Sequence, residues 1–199
     1  MSIVVLGADH PCGCYVLRIH LTTSVHLNFG GFKKRRRFEL HAGDYAYVGS
    51  AHSRRGASSL AHRLIRHATR SANQTPHRIR QQMIHHFSAI GLGSSDQLPR
   101  NTKRLRWNVD HLLDLTEAEL LGFYLLRTQR NIEASLGKFI ENDEHTIVFA
   151  KGLGANDIPG NTHILRVEAT ADWWSELGQR LALLFHLPYD KDRSNEIGQ

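Results

Sequence analysis

The sequence predicts a mixed α/β (α+β) domain, a small and mainly antiparallel sheet flanked by helices. Three observations carry that expectation. Short runs of β-branched and aromatic residues separated by glycine turns fill the first fifty residues; the hydrophobic period then changes to that of a helix; and the second half alternates helix-like with strand-like segments.

Residues 14 to 21, CYVLRIHL, read as a strand with partial alternation, and 36 to 41 and 45 to 49 (YAYVG) as further short strands. Gly30-Gly31 and Ala42-Gly43-Asp44 supply turns, so the first fifty residues are expected to form an antiparallel meander. Between Ser58 and Arg70, Ala57, Leu60, Ala61, Leu64, Ile65 and Ala68 share one helical face. Arg63, Arg66, His67 and Arg70 share the other, so this helix is expected to bury one side and offer a cationic comb. PHRIRQQMIHHFSAI follows as a second helix, with Pro76 in its first turn and Ile79, Met83, Phe87 and Ile90 as its stripe. The region from 71 to 105 is expected to be a basic insertion on the surface of the main fold.

After Trp107, WNVDHLLDL and EAELLGFYLLRT read as core elements, and Asn131 to Glu141 as a helix burying Ile132, Leu136, Phe139 and Ile140, with Glu133 beside that stripe. A strand (TIVFA), a polar loop (GLGANDIPGNTH), a second strand (ILRVEA) and a helix from Ala171 to Leu187, N-capped by Thr170, complete one domain over 1 to 187. Residues 188 to 199 are expected to be a frayed tail. In the last helix Trp173, Trp174, Leu177, Leu181, Leu184 and Phe185 suit either core or the seam of a homodimer, with base stacking by the tryptophans a third use.

At 199 residues the chain can close a core without disulfides or a structural metal, and it has no run of about 18 apolar residues to span a membrane. The start lacks a basic n-region, so a cytoplasmic protein is expected. Cys12 and Cys14, the only cysteines, are expected to be buried free thiols. GLGSSD and GLGAND lack the third glycine of a dinucleotide fingerprint and no GK[ST] occurs, which excludes those phosphate loops. His85 and His86 diverge by about 100° on a helix and make a poor metal pair.

The formal charge of +6 is unevenly placed. Lys33 to Arg106 holds sixteen Lys or Arg against three acids, and the rest holds nine against sixteen. The basic part, above all Lys33, Lys34, Arg35, Arg36 and Arg37, is suited to collecting phosphate backbones, so a nucleic-acid partner is expected.

Gly13-Cys14-Tyr15 on one strand, Tyr47-Val48-Gly49-Ser50-Ala51 on a later one, and Arg63 with His67 on the next helix form an arrangement that resembles the GIY-YIG nuclease superfamily. AGDYAYVGSA, RLIRH, WNVDHLL, IEASL and GxGAxDxxxxTHI extend the likeness to the branch of that superfamily long known as a domain of unknown function, over most of 13 to 168. The resemblance implies that Tyr15 and Tyr47 line the site, Arg63 faces the scissile phosphate, His67 contacts phosphate or protonates the leaving group, and Glu133 holds Mg²⁺ or Mn²⁺. Arg66 and Arg70, with the 33 to 37 run, would bind nucleic acid, DNA in preference to RNA.

The chemistry is coherent. A planar guanidinium meets two phosphate oxygens at once, and a hard cation that keeps most of its waters needs few protein oxygens. A phenol of ordinary pKa near 10 acts as a base near neutrality only if electrostatics supply about 4 kcal/mol. Either tyrosine could be that base. The chain departs from the family pattern at Asn108, where histidine is common, and at Ile158, where cysteine is usual, with His111 the nearest substitute for the missing histidine. Asp110, Asn156, Asp157 and His163 read as hydrogen-bonding support. Three classes therefore stand open: a metal-dependent endonuclease, a nucleic-acid-binding module on the same scaffold whose catalysis has decayed, and a structural partner of a repair or recombination protein.

Overall fold

A computed structural model of the chain describes residues 2–7, 10–54, 56–93, 102–154 and 162–189. The sheet has six strands in the order β1 (Ser2–Leu6), β6 (Ala118–Arg127), β2 (Gly13–Leu21), β5 (Gly43–Ala51), β8 (Ile164–Val167) and β7 (Thr146–Ile147). Only β1 and β6 pair in parallel; the other neighbours are antiparallel. The mixed α/β expectation holds.

The meander is not continuous. β2 pairs along its whole length with β5, and β3 (Val25–Asn28) and β4 (Arg37–Leu40) peel away as a separate two-stranded sheet. Gly30, at φ +58°, lets this hairpin lie against the next layer: a Cβ there would meet the His111 ring at 2.8 Å.

Alternation along the strands divides the interior into two cores. Tyr15, Leu17, Ile19, Tyr45, Tyr47 and Phe123 face α1 (Leu60–His67), α2 (Arg80–Ala89), α3 (Asn108–Leu113) and the hairpin. Cys14, Val16, Ala46, Val48 and Tyr124 face α4 (Glu133–Glu141) and α5 (Ala171–Phe185). No described helix is long and apolar enough to cross a membrane.

Three expectations are corrected. The stretch after Ser71 is not a surface insertion, because Ile79, Met83 and Phe87 are fully buried in the first core. Pro76 lies ahead of α2, whose N-cap is Ile79, and so does not occupy its first turn. Base stacking by the α5 tryptophans is overturned and the core reading holds: Trp173, Trp174, Leu177, Leu181 and Phe185 are spent in the second core, while Leu183 and Leu184 lie outside it, exposed. Thr170 does cap α5 by position, though its hydroxyl makes no capping bond. Met83→Ala is expected to lower stability by about 3 kcal/mol, the cost of a cavity at a site that cannot collapse; urea denaturation would measure it, and a surface helix would lose under 1 kcal/mol.

Candidate active site

The two tyrosines reach one place because β2 and β5 pair in register. Tyr15 lies opposite Gly49, and Tyr47, two residues earlier on β5, shares its face, so the ring centroids are 6.2 Å apart. Gly49 makes room: a Cβ there would come within 2.6 Å of the Tyr15 Oη. The phenol lies directly over a residue with no side chain.

Helix α1 closes the space above the rings. His67 packs 5.7 Å from both tyrosine rings, and its Nε2 is 2.9 Å from Tyr15 Oη. Both partners are fully buried. Burial pushes the imidazole down to about 3, the Asp110 carboxylate opposing, so His67 is neutral at physiological pH. Burial first, then the nearby Tyr47, raises the Tyr15 phenol well above its ordinary value, with the Arg63 guanidinium working in the opposite direction. Asp110 Oδ1 stands 3.8 Å from Nδ1 and favours the ring proton there, so that the protonated phenol donates to Nε2. Among the described residues Nδ1 has no hydrogen-bond partner.

Arg63, one turn earlier, donates from Nη1 to the Ser50 carbonyl at the end of β5 and rests its guanidinium 4.7 Å from the Trp107 ring centroid. Ser50 turns its hydroxyl the other way, donating to Glu133 Oε2 at 2.5 Å. Glu133 opens α4 on the far face of the sheet, with its side chain 16% exposed. Tyr15, Tyr47, His67, Arg63 and Glu133 thus gather at one end of the β2–β5 pair, and Glu133 is close enough to act electrostatically on Tyr15.

The cationic comb does not form. Arg66 is held by both oxygens of Asp110, at 3.0 and 2.8 Å, and lies over Trp107 at 4.2 Å. Arg70 is buried, donating to the Thr75 and Ala118 carbonyls, and is not available to nucleic acid. His67, fully buried against Tyr15, cannot meet a leaving group in this state. The helical wheel identified these cations but not the segments that cover them, 102–113 over Arg66 and His67 and the stretches around Thr75 and Ala118 over Arg70. Lys33 to Arg37 do face solvent, all five exposed, in a turn where Lys33, Lys34 and Arg35 adopt left-handed backbone (φ 47°, 56° and 64°).

Several contributors carried weaker signals. Trp107, at the N-cap of α3, is the platform for Arg63 and Arg66; Asp110 Oδ2 accepts the backbone N–H groups of Arg106 and Trp107. Lys103 is buried with Nζ 3.7 Å from Asp110 Oδ1, and burial lowers it to about 8. His163 Nδ1 donates to the Val48 carbonyl at 3.0 Å and lies 3.4 Å from Glu133 Oε1. Asn108 donates to the Gly154 carbonyl, a structural use. His111 lies against Gly30 of the hairpin turn. Asn156, Asp157 and Ile158 lie outside the described residues.

A family model, the Domain of unknown function DUF123, matches residues 14–184. The chain belongs to the DUF123 family. The match includes every site residue above and, unlike the sequence motifs, runs through α2 and almost to the end of α5, which agrees with their place in the two cores. No curated protein and no solved structure matches this DUF123 chain.

Proposed function

We propose that this chain is a divalent-metal-dependent endonuclease of GIY-YIG type, hydrolysing phosphodiester bonds in nucleic acid, DNA before RNA. The observation that carries the reading is the convergence of two phenols, a guanidinium and a carboxylate, from β2, β5, α1 and α4, at one end of the sheet.

The residues fit a water-rich divalent ion. No group of three or more His, Cys, Asp or Glu able to hold a metal occurs among the described residues, so the ion would rest on Glu133 alone, with water and phosphate oxygens completing its shell. Among the described residues Glu133 Oε1 has His163 Nδ1 at 3.4 Å, and the side chain is 16% exposed. Mg²⁺ or Mn²⁺ bound there would supply charge to stabilise the transition state.

The chain's own groups account for the remaining steps. Arg63 is half-buried and anchored through Nη1 and Trp107, with Nε buried, so its guanidinium would meet non-bridging phosphate oxygens only as substrate enters the site. Tyr15 has an outlet for its proton in His67. Tyr15 is as buried as His67 in this state, so substrate binding would have to open the site; its oxygen would then take a proton from the attacking water as its own moves 2.9 Å to His67 Nε2. Charging His67 at neutral pH costs about 5 kcal/mol in the free chain, and incoming phosphate offsets part of that. The expected depression of the phenol is therefore not a property of the free protein; the cation held by Glu133, added to Arg63, would have to supply it. Lys33 to Arg37 would hold the flanking backbone.

The test is incubation of the purified protein with supercoiled, branched and single-stranded DNA and with RNA, in Mn²⁺ and in chelator. Nicking that needs Mn²⁺ and falls by about 10²–10³-fold in Glu133→Gln is expected. Shifted but uncut bands under every condition would leave a binding module in place of an enzyme.

A further inference from the structure

Ser50 sits where the two halves of the site meet. β5 carries it opposite Cys14 in the centre of the sheet, so its backbone is fixed by pairing on that side. It is buried at 6% exposure, and water competes little for its hydroxyl. The carbonyl accepts Arg63 from the α1 side, and the hydroxyl donates to Glu133 from the α4 side. One residue thereby touches both groups that must hold opposite charges at a set distance.

Among the described residues Glu133 has few other restraints. It is the first residue of α4 and its side chain has three rotatable bonds. His163 approaches Oε1 only at 3.4 Å and spends its Nδ1 proton on Val48. Among the described residues, Ser50 makes the short hydrogen bond that selects one direction for the carboxylate. The residue type matters. Alanine would keep the carbonyl to Arg63 and lose the hydroxyl; aspartate would place a second negative charge against Glu133; threonine keeps the donor and adds one methyl.

We infer that Ser50 is a positioning residue, whose hydroxyl aims Glu133 at the cation while its carbonyl fixes Arg63. This rests on the nuclease reading. Groups that orient a metal ligand change metal affinity or activity by about 10–100-fold when removed. Ser50→Ala is accordingly expected to raise the Mn²⁺ concentration giving half-maximal nicking about tenfold. The loss should be recovered by adding more Mn²⁺, with oligonucleotide affinity and melting temperature in chelator unchanged.

Mn²⁺ titrations of wild type, Ser50→Ala, Ser50→Thr and Glu133→Gln, followed by paramagnetic broadening of the amide signals of Ser50, Ile132 and Ala134 and in parallel by nicking, test this. Ser50→Thr should stay within about threefold of wild type. A tenfold shift in both readouts for Ser50→Ala alone supports the role. Equal midpoints in an active wild type and Ser50→Ala overturn it and leave the nuclease reading standing, and so does an equal loss in Ser50→Ala and Ser50→Thr. A wild type that neither broadens nor nicks overturns both.

Discussion

Arg63→Ala is expected to reduce cleavage by about a thousandfold or more, roughly 4 kcal/mol of transition-state stabilisation, while oligonucleotide affinity changes by less than about threefold. The asymmetry follows from position. Lys33 to Arg37 offer five exposed charges to a phosphate backbone, so one half-buried guanidinium adds little to the whole affinity. At the reacting phosphate the balance reverses, because charge accumulates on oxygens that only a fixed, planar, partly desolvated donor can meet without reorganising. Arg63 is fixed by Ser50 and Trp107, two contacts that exist before substrate arrives. Arg63→Lys should therefore recover little, since an ammonium cannot hold the Ser50 carbonyl, lie on the indole and face a phosphate together. Single-turnover cleavage with saturating protein separates the two effects. Cleavage that persists in Arg63→Ala would sink the nuclease assignment.

How far the sequence disclosed this arrangement depended on whether a side chain's surroundings were local. β2 and β5 were legible because alternation is a local property, and so were the stripes of α1, α4 and α5. β1 went unrecognised: five residues without alternation acquire meaning only from parallel pairing with β6, some 120 positions away. β7 shrank from an expected TIVFA to Thr146–Ile147, the part that pairs with β8. The α2 stripe was visible, but the basic residues around it suggested a surface, and only the packing of Phe87 on Phe123 shows it to be core. In the site, the residues with distinctive chemistry were legible as motifs. What they do to one another was not. A helical wheel gives α1 a polar face, and polar faces normally meet water; here that face meets Trp107, Asp110 and Lys103, brought from some 40 residues away. The consequence is chemical as well as structural, because the same covering turns His67 from a surface acid into a neutral acceptor for Tyr15.

That covering also predicts where the fold is weakest. Asp110 is fully buried, takes both arms of Arg66, faces Lys103 and accepts two backbone N–H groups at the start of α3. Asp110→Ala would strand two cations in the interior, and the expected loss is about 4 kcal/mol at pH 7 by urea denaturation. Acid should act on the same cluster. The hydrogen bonds from Arg66 and the surrounding positive charge hold the Asp110 carboxyl down near 2 against its burial, below its unfolded value, so its contribution is complete above about pH 4 and is lost as pH falls through 2. His67 works in the same direction over a higher range. Its folded value of about 3 lies below the ordinary 6.5, so the unfolded chain takes up the proton first, and stability drains away between pH 6.5 and 3. At pH 5 this histidine alone costs about 2 kcal/mol. Denaturation midpoints of the wild type should fall from pH 7 to pH 5, and His67→Gln, which can still accept from Tyr15, should recover about 2 kcal/mol of that fall. Parallel pH profiles for the two proteins would mean that His67 keeps an ordinary value in the native state and charges by pH 5, which overturns its place as a buried neutral acceptor for Tyr15.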